Sequence, residues 1–165
     1  MSDKFFFDFM GRRYPNITRE HFSAQYIFPI ASKFCIGKGV DVGCGKKEWA
    51  LPGAIPIDIS FNDENTATNF PYTNLNYIFS SHCLEHLDNQ KEVLEYWYSK
   101  LRFGGILFLY LPHPDQEYWY QYCKKHKKVV YPKKMRDLLK NIGYKEVHIS
   151  ERDFNYSYVA YGEKE

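Results

Sequence analysis

Val40-Asp41-Val42-Gly43-Cys44-Gly45 reads as a short buried strand that runs straight into a glycine turn. Glycine has no Cβ, so such a turn adopts conformations closed to other residues and lets backbone N–H groups come close to a ligand. In open α/β sheets, ligands collect at the carboxyl ends of the strands. The next apolar stretch, Ala54-Ile55-Pro56-Ile57-Asp58-Ile59, puts Asp58 at the carboxyl end of a second strand. An acidic side chain there can accept hydrogen bonds from both hydroxyls of a ribose, which implies a nucleoside-containing ligand. Gly-x-Gly alone is equally a plain tight turn; the pairing with Asp58 is what points to a site. The dinucleotide fingerprint is not met, because Lys46, Lys47 and Glu48 follow Gly45, so nicotinamide binding is disfavoured.

Working outward, about eleven residues separate these two strands, too few for the usual crossover helix, and Trp49, Pro52 and Gly53 suit a tight loop. Residues 60–76 are rich in Asn and Thr and read as irregular. Tyr77-Ile78-Phe79 is a third strand, after which Val93, Leu94, Trp97 and Leu101 recur at helical spacing over residues 89–100. Gly104-Gly105 is expected to stop that helix. Ile106-Leu107-Phe108-Leu109-Tyr110-Leu111 is the continuous apolar run of a central strand covered on both faces, and Pro112 ends it. A helix starts at Pro132 with Gly143 beyond its end, and residues 145–149 and 156–161 close the chain as two strands. Near the start, Thr18 is a plausible N-cap for a helix running to Lys33, kinked or ended early by Pro29.

Strand and helix alternate and a strand pair ends the chain, which predicts a three-layer α/β fold. Its sheet is mostly parallel with a terminal antiparallel pair, and its early helices are shortened. One domain spans residues 1–165, with an N-terminal helical segment over residues 1–36. A chain of 165 residues, 44% of them hydrophobic, can bury one ordinary core. Its 15 Tyr and 13 Phe exceed what that core absorbs, so some line a pocket or an interface. The net charge of +2 gives no field that compels a nucleic acid or membrane partner. Four widely spaced cysteines without a Cys-x-x-Cys pair suit the reduced thiols of a cytoplasmic protein. Asp8 and Arg12-Arg13 interrupt the N-terminal phenylalanines before a signal peptide can form. The longest apolar run, near residues 106–111, falls far short of the roughly 18 to 20 residues of a membrane span, so a soluble protein is expected.

Four successive motifs carry a family resemblance: Val40-Asp41-Val42-Gly43-Cys44-Gly45, then Asp58, then Tyr77-Ile78-Phe79-Ser80-Ser81-His82-Cys83-Leu84-Glu85-His86-Leu87, then Leu101-Arg102-Phe103-Gly104-Gly105-Ile106-Leu107. In this order and spacing, over about residues 38–113, they resemble class I S-adenosylmethionine-dependent methyltransferases of the type 11 group. The resemblance implies a Rossmann-like methyltransferase fold with S-adenosylmethionine as cofactor. It also implies that Asp41 and the backbone of Gly43, Cys44 and Gly45 hold the methionine part, Asp58 the ribose, and that Ser80, Ser81 and His82 pass under the sulfonium. Two departures stand out. Lys47 replaces the family's third motif glycine, and Thr66-Ala67-Thr68-Asn69-Phe70-Pro71-Tyr72 occupies the segment where an Asp commonly meets adenine, which leaves that contact to backbone near Ala67 and Thr68.

His82 and His86 stand four apart and on a helix would share a face, but no third ligand is evident, so no metal is expected. His86 and His113 are candidate general bases; Glu85-His86, at the start of the next helix, reads first as structural or pocket-lining, and His113 reads equally as a solvated loop histidine. Tyr118, Trp119, Tyr120 and Tyr122 beside Lys124-Lys125-His126-Lys127-Lys128 mix rings and cations as single-strand nucleic acid binders do. A solvated charged face is the plainer reading. Residues 112–132 also suit a lid over the acceptor, with Tyr118 and Trp119 against the substrate. The leading function is methyl transfer to a small molecule or glycan. Its alternatives are a non-catalytic S-adenosylmethionine-fold binding module and a nucleic-acid-directed methyltransferase. The sequence leaves the acceptor and the oligomeric state open.

Overall fold

The computed structural model describes residues 5–19, 22–61, 64–122 and 128–165. The chain starts as an antiparallel hairpin of β1 (Phe6–Phe9) and β2 (Arg12–Pro15), turned by Met10 and Gly11, both at positive φ. Two-residue hairpin loops demand that conformation because it matches the twist of the strands. Two 3₁₀ turns follow (Asn16–Arg19 and Ser23–Tyr26), then the helix α1 (Phe28–Phe34). The single helix expected from Thr18 to Lys33 is thus reduced to seven residues. Pro29 lies in its first turn, where the missing N–H costs nothing, so the proline starts the helix instead of kinking it. Among the described residues, segment 1–36 is a hairpin, two turns and one short helix, not helical throughout.

The main sheet has six strands: β3 (Gly39–Val42), β4 (Ile55–Ile57), β5 (Leu75–Ser81), β6 (Leu101–Pro112), β7 (Lys145–Ile149) and β8 (Ser157–Glu163). Their order is β4-β3-β5-β6-β8-β7; β3 to β6 run parallel, and β8 lies antiparallel between β6 and β7. The helices α2 (Gln90–Lys100), α3 (Glu117–Tyr122) and α4 (Pro132–Ile142) complete the three-layer fold expected from the sequence.

Alternation of side chains along each strand divides the core in two. Val40, Val42, Ile78, Leu107 and Leu109 meet Val93, Leu94 and Trp97 of α2 and Met135 and Leu139 of α4. Tyr77, Phe79, Phe108 and Tyr110 point the other way and meet Ile27, Ala31 and Cys35 around α1. The second face has much less cover, and Ile30 and Phe34 of α1 stay half exposed.

Gly104-Gly105 do not stop α2. The helix ends at Lys100, where Lys164 Nζ donates to the carbonyls of Tyr98 and Leu101, both at 2.9 Å, and meets the orphan acceptors of the last turn. The glycines instead sit inside β6, in a bulge between the Leu75–Leu101 and Tyr77–Ile106 pairs. A Cβ on Gly105 would stand 2.7 Å from the Leu75 carbonyl oxygen and 2.9 Å from that of Arg102. No side chain fits between two backbones so close. Gly105→Ala is therefore expected to destabilise the fold by about 1–3 kcal/mol, the range for overpacking, read as a lower urea midpoint; an unchanged midpoint would mean the bulge relaxes freely.

Candidate active site

The glycine turn is held from three sides. Gly43 and Gly45 lie at φ +83° and +76°, and Gly43 N–H donates to the Ile57 carbonyl at 2.7 Å. A Cβ on Gly43 would approach Cys83 Sγ to 2.3 Å, so the loop after β5 packs where any other residue would have a side chain. Ser80 Oγ donates to the Val42 carbonyl at 2.8 Å and joins the ends of β5 and β3.

Asp58 reaches this turn directly. One carboxylate oxygen accepts from Gly45 N–H at 2.7 Å and the other from Ser60 N–H at 2.9 Å, while Ser60 Oγ donates to the Gly45 carbonyl at 3.0 Å. Two residues thirteen positions apart in sequence thus form one unit. A carboxylate offers about four acceptor positions, and two are used here, so the remainder can take two hydroxyls. Ser60 was not singled out from the sequence; its signal is the Asp-x-Ser spacing of a turn closed by an Asp side chain.

Asp41 acts from behind the turn. It is 1% exposed, and its carboxylate accepts from Leu51 N–H at 2.7 Å, which holds the loop that stands in for a crossover helix. Burial raises its pKa to about 7, against the Leu51 hydrogen bond and with help from the Asp58 charge. Burial also pushes the Cys44 and Cys83 thiols up, so both are poor nucleophiles and serve as small packing groups.

At the carboxyl end of β5, Ser81 Oγ is buried with no hydrogen-bond partner among the described residues. His82 turns the chain at φ +48°. Its Nε2 lies 2.9 Å from Ser157 Oγ, its Nδ1 lies 3.8 Å from Glu85 Oε1, and its ring meets those of Trp119 and Tyr110. His86 Nε2 stands 3.8 Å from the same Glu85 oxygen. His82 and His86 therefore share a carboxyl group, not the face a helix would have given them, because His82 lies in the bend after β5 and His86 in a 3₁₀ turn (Leu84–His86). Glu85 is 2% exposed, and burial raises its pKa to about 8. The sequence offers Glu85 only as part of the Glu85-His86 pair; its place between two imidazoles is the signal of a larger part.

The segment after β6 crosses the same edge. His113 N–H donates to the Tyr156 carbonyl at 2.7 Å, and its Nδ1 accepts from Asp115 N–H at 3.2 Å. Burial lowers the His113 pKa, which favours neutral imidazole. In α3, Trp119 Nε1–H donates to the Thr18 carbonyl at 3.0 Å, and the Tyr118 ring packs edge-on against Phe7 and Phe9 of the hairpin. Arg12 pairs with Glu117 at 3.2 Å, and Tyr14 packs on Tyr156. The hairpin thus closes over the segment after β6. Lys124, Lys125, His126 and Lys127 lie outside the described residues, as do the side chains of Tyr120 and Tyr122. Of the two residues considered for adenine, Ala67 gives its carbonyl to Trp97 Nε1–H at 2.7 Å, and Thr68 is exposed on a turn closed by Thr66 and Asn69. Among the described residues, no three His, Cys, Asp or Glu side chains are grouped to hold a metal.

Residues 20–149 match the model of a methyltransferase domain. A Thermotoga maritima S-adenosylmethionine-dependent methyltransferase, described as a possible histamine N-methyltransferase, superposes with a TM-score of 0.71 at 16% identity, over 90% of this chain and 92% of that one. An Archaeoglobus fulgidus S-adenosylmethionine-dependent methyltransferase gives 0.65 at 18% identity, over 89% and 96%. Phosphoethanolamine N-methyltransferase 2 of Haemonchus contortus, in complex with S-adenosylmethionine, gives 0.58 at 14% identity, over 76% of this chain and 38% of that one. No curated protein matches the sequence.

The two buried acids set a pH dependence. The folded state binds the Asp41 proton more tightly than the unfolded state, since the pKa rises from 3.8 to about 7. That contribution to stability is therefore present at low pH and is lost as pH rises between those values. Glu85 acts with the same sign between 4.5 and about 8. Asp41→Asn and Glu85→Gln should each flatten the decline of unfolding free energy with pH in its own window, measured by urea titration at a series of pH values. Parallel curves for variant and wild type would mean these carboxyls are not raised.

Proposed function

The chain belongs to the methyltransferase-domain family and is an S-adenosylmethionine-dependent methyltransferase, and from that premise we propose that it methylates a small molecule or a glycan held above Ser81. The observation that carries the site assignment is the Asp58 carboxylate bridging Gly45 and Ser60 with two acceptor positions to spare. The cofactor, when bound, supplies a methyl group on a cationic sulfonium.

This chain's residues then do the following. The backbone of the turn at Gly43, Cys44 and Gly45 borders the methionine part, with Asp41 fixing the turn from behind. Asp58 accepts the ribose hydroxyls, and the backbone near Ala67 and Thr68 borders adenine. Ser80, Ser81 and His82 form the floor beneath the reacting centre. Trp119, in ring contact with His82, and Tyr118 belong to the acceptor wall. Displacement at a sulfonium needs an aligned lone pair and a dry site more than a strong base. Where the acceptor must lose a proton, His86, beside Glu85, is one candidate to take it, and His113, kept neutral by burial, is the other once its Nδ1 gives up the Asp115 N–H.

A small acceptor agrees with the substrates in the names of two similar structures, histamine and phosphoethanolamine. A net charge of +2 gives nucleic acid no special claim. The three described cysteines are free, as in a reducing cytosol, and none of the described helices is long and apolar enough to cross a membrane.

Calorimetry with S-adenosylhomocysteine tests the cofactor site: binding is expected, and Asp58→Ala should weaken it by about 1.5–3 kcal/mol, the range for hydrogen bonds to a charged group. Unchanged affinity in that variant would remove Asp58 from the site. For the acceptor wall, His113→Ala and Tyr118→Ala should each lower methyl transfer from labelled S-adenosylmethionine to a panel of small amines, phenols and sugars. Cofactor affinity should stay nearly intact, as for residues that touch only the acceptor. A matched loss of cofactor affinity would place them elsewhere.

A further inference from the structure

The face of the sheet opposite α2 and α4 is incompletely covered, and it contains a groove of about 690 Å³. Its apolar lining comes from Ile30 and Phe34 of α1, Phe108 of β6 and Val159 and Tyr161 of β8. Ile30 is 50% exposed and Phe34 51%. Phe34 already packs on Phe108 and Tyr161, so half of each knob is seated and half faces solvent.

We propose that this face joins two copies of the chain, α1 of each seated in the groove of the other. Three observations lead there. A small-molecule site needs a few polar groups converging on an apolar pocket, whereas the polar lining here is engaged or turned outward. Ser150 Oγ donates to the Glu151 carbonyl and accepts from Val159 N–H, and His148 and Glu146 pair at 3.8 Å, both largely exposed. Second, knob and groove belong to one patch, as an interface built on a two-fold axis requires. Third, the rim is charged in a self-complementary way. Lys33 is exposed and borders the Ile30–Phe34 face of α1, while Glu146 and Glu163 line the opposite side of the groove. A two-fold axis sets each copy's Lys33 beside the other's glutamates. A foreign partner would have to supply the same apolar knobs and cation, which this chain already presents.

Sedimentation equilibrium on the full chain, from micromolar to hundreds of micromolar, tests the assignment, with S-adenosylhomocysteine binding measured in parallel to report an intact fold. The wild type is expected to be a dimer in this range. Phe34→Asp should give monomer with unchanged ligand binding. Lys33→Glu, on an exposed position that folding does not depend on, should weaken dimerisation by at least about tenfold, and adding Glu146→Lys with Glu163→Lys to the same chain should restore it, as coupled charge reversals do. A wild type that stays monomeric throughout overturns the proposal. So does a dimer whose dissociation constant neither substitution changes, since it would form through another face.

Discussion

The contact between the Asp58 carboxylate and Gly45 N–H ties two strand ends into one rigid corner, and the arrangement of the site follows from it. Gly45 adopts a conformation that leaves its N–H pointing out of the strand, and an uncompensated donor there would be costly once covered. Asp58 satisfies it at 2.7 Å, while Ser60 returns a hydrogen bond to the Gly45 carbonyl. The same carboxylate keeps acceptor capacity toward solvent. The corner is thereby held in place without a long helix behind the turn, in a fold whose first crossover has shrunk to a 3₁₀ turn (Lys47–Trp49).

That shrinkage explains the unusual electrostatics. A crossover helix would have shielded the far side of β3 with apolar side chains; here the loop through Leu51 does so, and Asp41 anchors it from a buried position. The cost is a carboxyl group held in a low-dielectric setting, which raises its pKa. Glu85 repeats the pattern on the other side of the turn, buried between two imidazoles. Buried acids on both sides bias the region toward neutral side chains and leave Asp58 as the exposed acid of this corner.

Coverage of the sheet is also uneven. α2 and α4 bury one face fully, but α1, with seven residues, cannot span the other. The N-terminal hairpin does not make good that shortage; it packs on α3 and on Tyr156, at the carboxyl edge, through Phe7, Phe9 and Tyr14. The abundance of aromatic residues thus serves a roof over the carboxyl edge of the sheet and an open patch on its second face, beyond the core itself.

The fold and the glycine turn were legible in the sequence because both rest on local patterns. An apolar run ending in glycines, an acid at the next strand end and a six-residue apolar stretch before Pro112 each declare their structure within a few residues. Helix boundaries set by local chemistry, such as Pro132 and Gly143, were equally readable. What the sequence could not give were pairings between distant segments. Gly104-Gly105 look like a helix stop, yet they form a bulge because β6 must pass the Leu75 carbonyl, a constraint that exists only once the strands are paired. The opening residues pair with each other and cover the carboxyl edge because Tyr118 and Tyr156 are there to receive them, and no periodicity in residues 5–19 announces partners about a hundred positions away. Likewise the four-residue spacing of His82 and His86 gives no sign of the carboxyl group they share, because only the folded chain buries Glu85 between them. Hydrophobic pattern and turn chemistry act over a handful of residues, while close backbone approach and burial of charge depend on what the rest of the chain brings alongside.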